Sequence, residues 1–204
     1  MKMRNAGPAL LALGLSGCLQ GVLPNAAERA VYGLPEAAPM QATQRWSTPL
    51  QLEPLQTLPP RDGDDVLVLR TDGEFRVLPA VRWSAPLPVL MQELLARQIE
   101  LSGLAPVVAR GATLAAPLRL QAELHAFELR EQGTELGARA SLSLSLLCAR
   151  DGRLLARSEA ITVESAPVPK PPAQALAAVR QSAALLARQA TLWLARADVS
   201  GCPD

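Results

Sequence analysis

An α+β fold, with two amphipathic helices packed on one face of a largely antiparallel sheet, is what this sequence predicts. Three observations carry the prediction. Alternating apolar residues flank Asp72–Gly73 and Asp151–Gly152, and Asp-Gly supplies the positive φ angles of a tight hairpin turn. Two other stretches, near 87–103 and from 175 onward, carry apolar residues three and four apart, the period of a helix with one buried face. Strands and helices segregate along the chain and the strands sit on hairpins, which suits helices layered on a mostly antiparallel sheet.

The chain opens with "MKMRN", a positive segment, and continues with "AGPALLALGL". A membrane-spanning helix needs about 20 apolar residues, so this short run reads as a signal peptide over residues 1–17. Leu15, Ser16 and Gly17 lead directly into Cys18. That order resembles the lipobox of bacterial lipoprotein signals, which implies that Cys18 is acylated and becomes the mature N-terminus. An ordinary signal peptide with an incidental cysteine is the alternative. Several acyl chains on one residue give stable attachment where a single chain binds only marginally. Residue 19 is Leu, not the Asp that resembles an inner-membrane retention signal, so the expected address is the periplasmic face of the outer membrane.

Residues 18–48 are rich in Pro, Ala and polar side chains without a sustained period. They read as a flexible tether, ahead of a single domain over 49–204. Within that domain, "LQLEPLQTL" alternates until Pro54 interrupts it, as an edge strand or bulge would allow. Strands are predicted near Val66–Arg70 and Glu74–Leu78. The first helix follows, with Pro86 and Pro88 where a first turn tolerates proline and Gly103 as its stop. "LRLQAELHA" then places Leu118, Leu120, Ala122, Leu124 and Ala126 on one face; the phase shifts at Phe127, which predicts a β-bulge. "ELREQGTE" reads as a charged hairpin turn. In the next strand Ala140, Leu142, Leu144, Leu146 and Cys148 share a face and three serines take the other. The last helix carries the stripe Leu176, Val179, Ala183, Leu186, Ala190 and Leu194.

Composition narrows the function. Removal of Lys2 and Arg4 leaves 18 basic against 19 acidic side chains, so no basic stripe is available for nucleic acid. The one histidine, His125, sits on the polar side of its strand and reads as solvated. There is no Gly-x-Ser-x-Gly elbow, no phosphate-binding glycine loop and no metal-ligand spacing. No catalytic residue, metal site or cofactor is expected. Cys148 and Cys202 have two readings of equal weight: a buried inert thiol at 148, or a disulfide between them, which an oxidising periplasm permits. Arg82 and Trp83 stand at a strand–helix junction, where the ring either caps the core or faces a partner. Trp46, in the tether, could rest on the bilayer interface.

The order of strand, Arg70, hairpin, Arg82–Trp83, Pro-Leu and helix, followed by "LRLQAELHAFEL", a serine-rich strand and a final Ala-rich helix, resembles the auxiliary lipoproteins of ABC-type transport systems, similar to the PqiC group. Phe127 and Glu128 match an aromatic and acidic pair of that family, whereas "LPPRDGDD" before Val66 lacks the tyrosine-containing approach common in relatives. The resemblance covers about Leu50 to Ala195. It implies a non-enzymatic lipoprotein that docks an Mce-domain protein and an ABC permease and ATPase, and helps lipids or other hydrophobic cargo pass between membranes. Two other roles fit the same residues: an envelope assembly or scaffold lipoprotein that binds another outer-membrane protein by strand addition, and a stand-alone lipid carrier. A homo-oligomer is compatible with each of them.

Overall fold

The computed structural model describes residues 29–36, 38–106, 108–110, 116–169 and 172–202. Among them the chain runs β1 (Ala30–Tyr32), β2 (Leu50–Leu52), β3 (Gln56–Thr57), β4 (Asp65–Leu69), β5 (Phe75–Trp83), α1 (Leu87–Ser102), β6 (Val108–Arg110), β7 (Leu118–Gln132), β8 (Glu135–Cys148), β9 (Leu154–Arg157), β10 (Ile161–Glu164), β11 (Val168–Pro169) and α2 (Pro172–Leu194).

Strict alternation builds the spine. β7 and β8 pair antiparallel over their whole length, from Leu118 opposite Cys148 to Gln132 opposite Glu135. Only Gly133 and Thr134 remain between them, and Gly133 takes a φ of 62°, which a two-residue hairpin turn requires. "ELREQGTE" is therefore mostly strand, not turn. The predicted bulge is present: the register slips between Leu124 and Ala126. From that point Phe127 and Leu129, instead of the even-numbered residues, face the core.

Short strands line both flanks of this hairpin. β2, β3 and β4 lie in succession along the outer edge of β7, each parallel to it. β9, β10 and β11 lie along the outer edge of β8, each antiparallel. Beyond β4 comes β5, antiparallel, and β1 adds to β5 in parallel. β6 adds to β2. The sheet is thus mixed and mostly antiparallel. The parallel pairs of β2, β3 and β4 with β7 join strands that lie on either side of α1 in the chain, the long connection that parallel pairing needs. The Pro54 segment is no free edge at β2, because β2 lies between β7 and β6.

Both helices form where their apolar periods predict them. α1 ends at Gly103, whose φ of 66° lets its N–H bond back to the Glu100 carbonyl. Leu176, Val179, Ala183, Leu186, Ala190 and Leu194 of α2 are all buried, in one core cluster with the inward residues of β7, β8 and α1. The alanines of that stripe let α2 approach β8 closely, since a small side chain leaves little volume between backbone layers. A disulfide joins Cys148 at the end of β8 to Cys202 beyond α2.

The expected tether over 18–48 is corrected by what residues 29–48 do. Arg29 pairs with Asp65 at 2.6 Å, and β1 extends the sheet. Arg180 of α2 donates to the Gly33 carbonyl at 2.9 Å. Gln98 of α1 donates to the Ala38 carbonyl at 2.9 Å. The Ala42 and Trp46 N–H groups donate to the Ser102 and Leu104 carbonyls, and Gln44 donates to Ala197. Trp46 is buried in the core cluster instead of resting on a bilayer. The described residues of 29–48 form a strap across both helices and are not a flexible tether. The strap's backbone groups are satisfied by polar side chains and loop carbonyls, an arrangement that leaves no periodic mark on the sequence.

Candidate functional site

The junction of β5 and α1 brings the expected partner-facing pair into view. Strand alternation points Arg82 and Trp83 to opposite sides. Trp83 is only 1% exposed and meets Phe127 edge-on, with ring centroids 5.9 Å apart and an interplanar angle of 61°. Its ring caps the core and does not face a partner, because the apolar surface of β7 is the larger contact available to it. Arg82 is exposed and bonded to Asp64 at 3.1 Å. Just before them β5 bulges: its register against β4 slips between Asp65 and Leu67, and Ala80 adopts a φ of 62°.

Behind Phe127 lies a buried ion pair. Glu128 has a side chain with no exposed surface. Its carboxylate accepts Arg61 Nε at 2.9 Å, the Phe127 N–H at 2.9 Å and Arg130 Nη2 at 3.3 Å. A carboxylate withdrawn from water needs this degree of compensation. Arg61 also lies over the Phe75 ring, 5.0 Å from its centroid. Sequence reasoning missed Arg61, which comes from "LPPRDGDD", the segment where the chain departs from the family pattern. An acidic residue inside a strand pattern was the one signal that a cationic partner had to arrive from elsewhere.

The polar side of the β7–β8 hairpin opens on a cleft of about 240 Å³ lined by Gln56, Gln121, Glu123, Ser143, Ser145 and Arg157. Beside it His125 Nε2 lies 2.9 Å from Ser143 Oγ. Its Nδ1 is 3.9 Å from Glu123 Oε1, beyond hydrogen-bonding distance. The carboxylate therefore does not orient the ring as a serine-hydrolase triad demands. Among the described residues no group of three or more His, Cys, Asp and Glu is placed to hold a metal ion. No helix among them is long and apolar enough to cross a membrane.

A groove of about 390 Å³ runs between the strap and α1. Leu34 and Pro35 form one wall and Leu90, Leu94 and Leu101 the other, with Glu36, Glu93 and Arg97 among its charged lining. The strap thus forms one wall of a groove of mixed apolar and charged lining. Leu15, Ser16, Gly17 and Cys18 lie outside the described residues.

The profile of the ABC-type transport auxiliary lipoprotein component family matches residues 32–191. No curated protein matches the sequence significantly. Among solved structures, a DUF330 protein from Xanthomonas campestris is similar with a TM-score of 0.73 and 23% identity, over 81% of this chain and 95% of that one. A second, described only as an uncharacterised protein, has a TM-score of 0.64 and 16% identity, over 81% of this chain and 98% of that one. At these identities the likeness is one of fold.

Proposed function

Because the chain belongs to the family of ABC-type transport auxiliary lipoprotein components, we propose that it is held at the periplasmic face of the outer membrane by acyl chains on Cys18. There it serves as the auxiliary component of an ABC and Mce-type system that moves lipids or other hydrophobic cargo across the envelope. The observation that carries the reading is the placement of the lipobox. Cys18 stands eleven residues ahead of Arg29, which is bonded to Asp65 of the folded unit. That spacing keeps Arg29 within about 40 Å of an acyl anchor at Cys18.

In this reading both helices cover the apolar face of the sheet. The cleft of Gln121, Glu123, Ser143 and Ser145 stays open on the other face, and the strap–α1 groove and Arg82 are the surfaces offered to the Mce-domain protein or the permease. The packing of helices and sheet into one apolar cluster favours a docking role over carriage of a lipid inside the fold.

Two experiments test this. Cys18→Ala should move the protein from the membrane to the soluble periplasmic fraction; a variant that stayed membrane-bound and active would remove the anchor from the proposal. Periplasmic crosslinking of the full-length tagged protein should recover an Mce-domain protein or its permease, whereas recovery of outer-membrane assembly components alone would make it a scaffold lipoprotein.

A further inference from the structure

From Ser165 to Ala197 the sequence holds Lys170, Arg180, Arg188 and Arg196 and no acidic residue. Within this span α2 gives its inward stripe to the core. Its outward side carries Gln181, Leu185, Arg188 and Leu192, and the turn that continues it adds Arg196, whose N–H donates to the Trp193 carbonyl. These five positions are three or four apart and so share one face.

That face is apolar as well as basic. Leu185 is 42% exposed, and Leu192 and Trp193 are partly exposed beside the exposed Arg188 and Arg196. Of the three tryptophans, Trp46 and Trp83 are buried and Trp193 alone reaches the surface. A helix face solvated only by water commonly alternates charges of both signs. Arginines interleaved with leucines and an indole are instead the composition that settles at a bilayer interface. Asp198, the first acidic residue after the helix, accepts the Ser200 N–H at 2.9 Å and leaves the arginines in excess.

We propose that the outer face of α2 rests on the surface of an anionic bilayer. Arg188 and Arg196 meet lipid phosphates, and Leu185, Leu192 and Trp193 lie at headgroup level. The contact is shallow, because the opposite side of the helix stays packed on the sheet. Reach permits it: Arg180 of α2 donates to the Gly33 carbonyl at 2.9 Å, and Gly33 is fifteen residues from Cys18, at most about 50 Å along the chain. The inference rests on the acyl anchor at Cys18 proposed above, and adds which face of the fold meets the lipid.

The test places the acylated protein in vesicles of dibrominated phosphatidylcholine, with and without about a quarter phosphatidylglycerol, and follows tryptophan emission. With phosphatidylglycerol, bromine should quench Trp193, and Trp193→Phe should abolish that quenching because the other two indoles are buried. Arg188→Gln combined with Arg196→Gln should lower the ratio of seated to free domain by at least about tenfold, and high salt should act in the same direction. Both arginines are exposed, so an unchanged Tm is the control for folding. Vesicle-bound protein whose Trp193 stays unquenched overturns the contact and leaves the anchor standing. Equal quenching without phosphatidylglycerol, or full quenching in the double variant, overturns it as well. Shielding of Trp193 that grows with protein concentration in the absence of vesicles would give the face to a second copy of the chain and overturn it too. Protein that binds neither vesicle removes the anchor and this contact together.

Discussion

The β7–β8 hairpin and the strap over residues 29–48 are both essential to the ordered unit, but they are held by opposite means. The hairpin has a continuous backbone ladder and a row of inward leucines, alanines and one phenylalanine, all buried. The strap has three residues of strand pairing, one buried indole and a series of single hydrogen bonds, from Arg180 and Gln98 to its carbonyls and from its own Gln44 to the Ala197 carbonyl. A net hydrogen bond contributes only about 1 kcal/mol, and a large buried side chain contributes about 1.5–3 kcal/mol. The hairpin should therefore open only with global unfolding, while the strap opens locally. Order in a structure and resistance to opening are separate properties.

Substitutions can break that contrast. The largest effect is expected from Phe127→Ala, which empties the contact with Trp83 and should cost about 4 kcal/mol in urea unfolding. A loss below about 1 kcal/mol would mean that neighbours collapse into the space and that the ring does not hold the hairpin. Next comes Arg61→Ala, expected to cost about 2–3 kcal/mol because the buried Glu128 side chain is left with one partner fewer. Adding Glu128→Gln should recover much of that loss; strict additivity in the double-mutant cycle would show that the pair is not coupled. The smallest global effect, about 1 kcal/mol, is expected from Gln98→Ala. Its mark is local: amide exchange at Ala42 and Trp46 should quicken while Leu142 and Leu144 keep their protection. Equal acceleration in the two regions would join strap and hairpin into one cooperative unit.

Whatever rests on a local period was legible in the sequence. The alternation in β8 separated its leucines from its serines, the phase shift near Phe127 marked the bulge, and the stripe of α2 named its buried residues. What rests on distant partners was not. Nothing near Gly33 or Ala38 announces that a carbonyl will be met by Arg180 or Gln98. Glu128 read as part of a charged turn because Arg61, 67 positions away, is what makes its burial affordable. Trp83 was open to two interpretations until Phe127 was placed opposite it. The parallel pairing of β2, β3 and β4 with β7 escaped for the same reason, since it depends on the crossover and not on any strand alone.

The strap also changes the distance scale that the proposed anchor would set. A tether over residues 18–48 would let the folded unit stand about 100 Å from Cys18. Arg29, however, is already tied to Asp65 and stands eleven residues from Cys18, so it lies at most about 40 Å from that residue whatever path the chain takes. If Cys18 carries the acyl chains proposed above, a partner of this unit has to be met within that shorter span of the membrane, and the strap sets the height at which the meeting occurs.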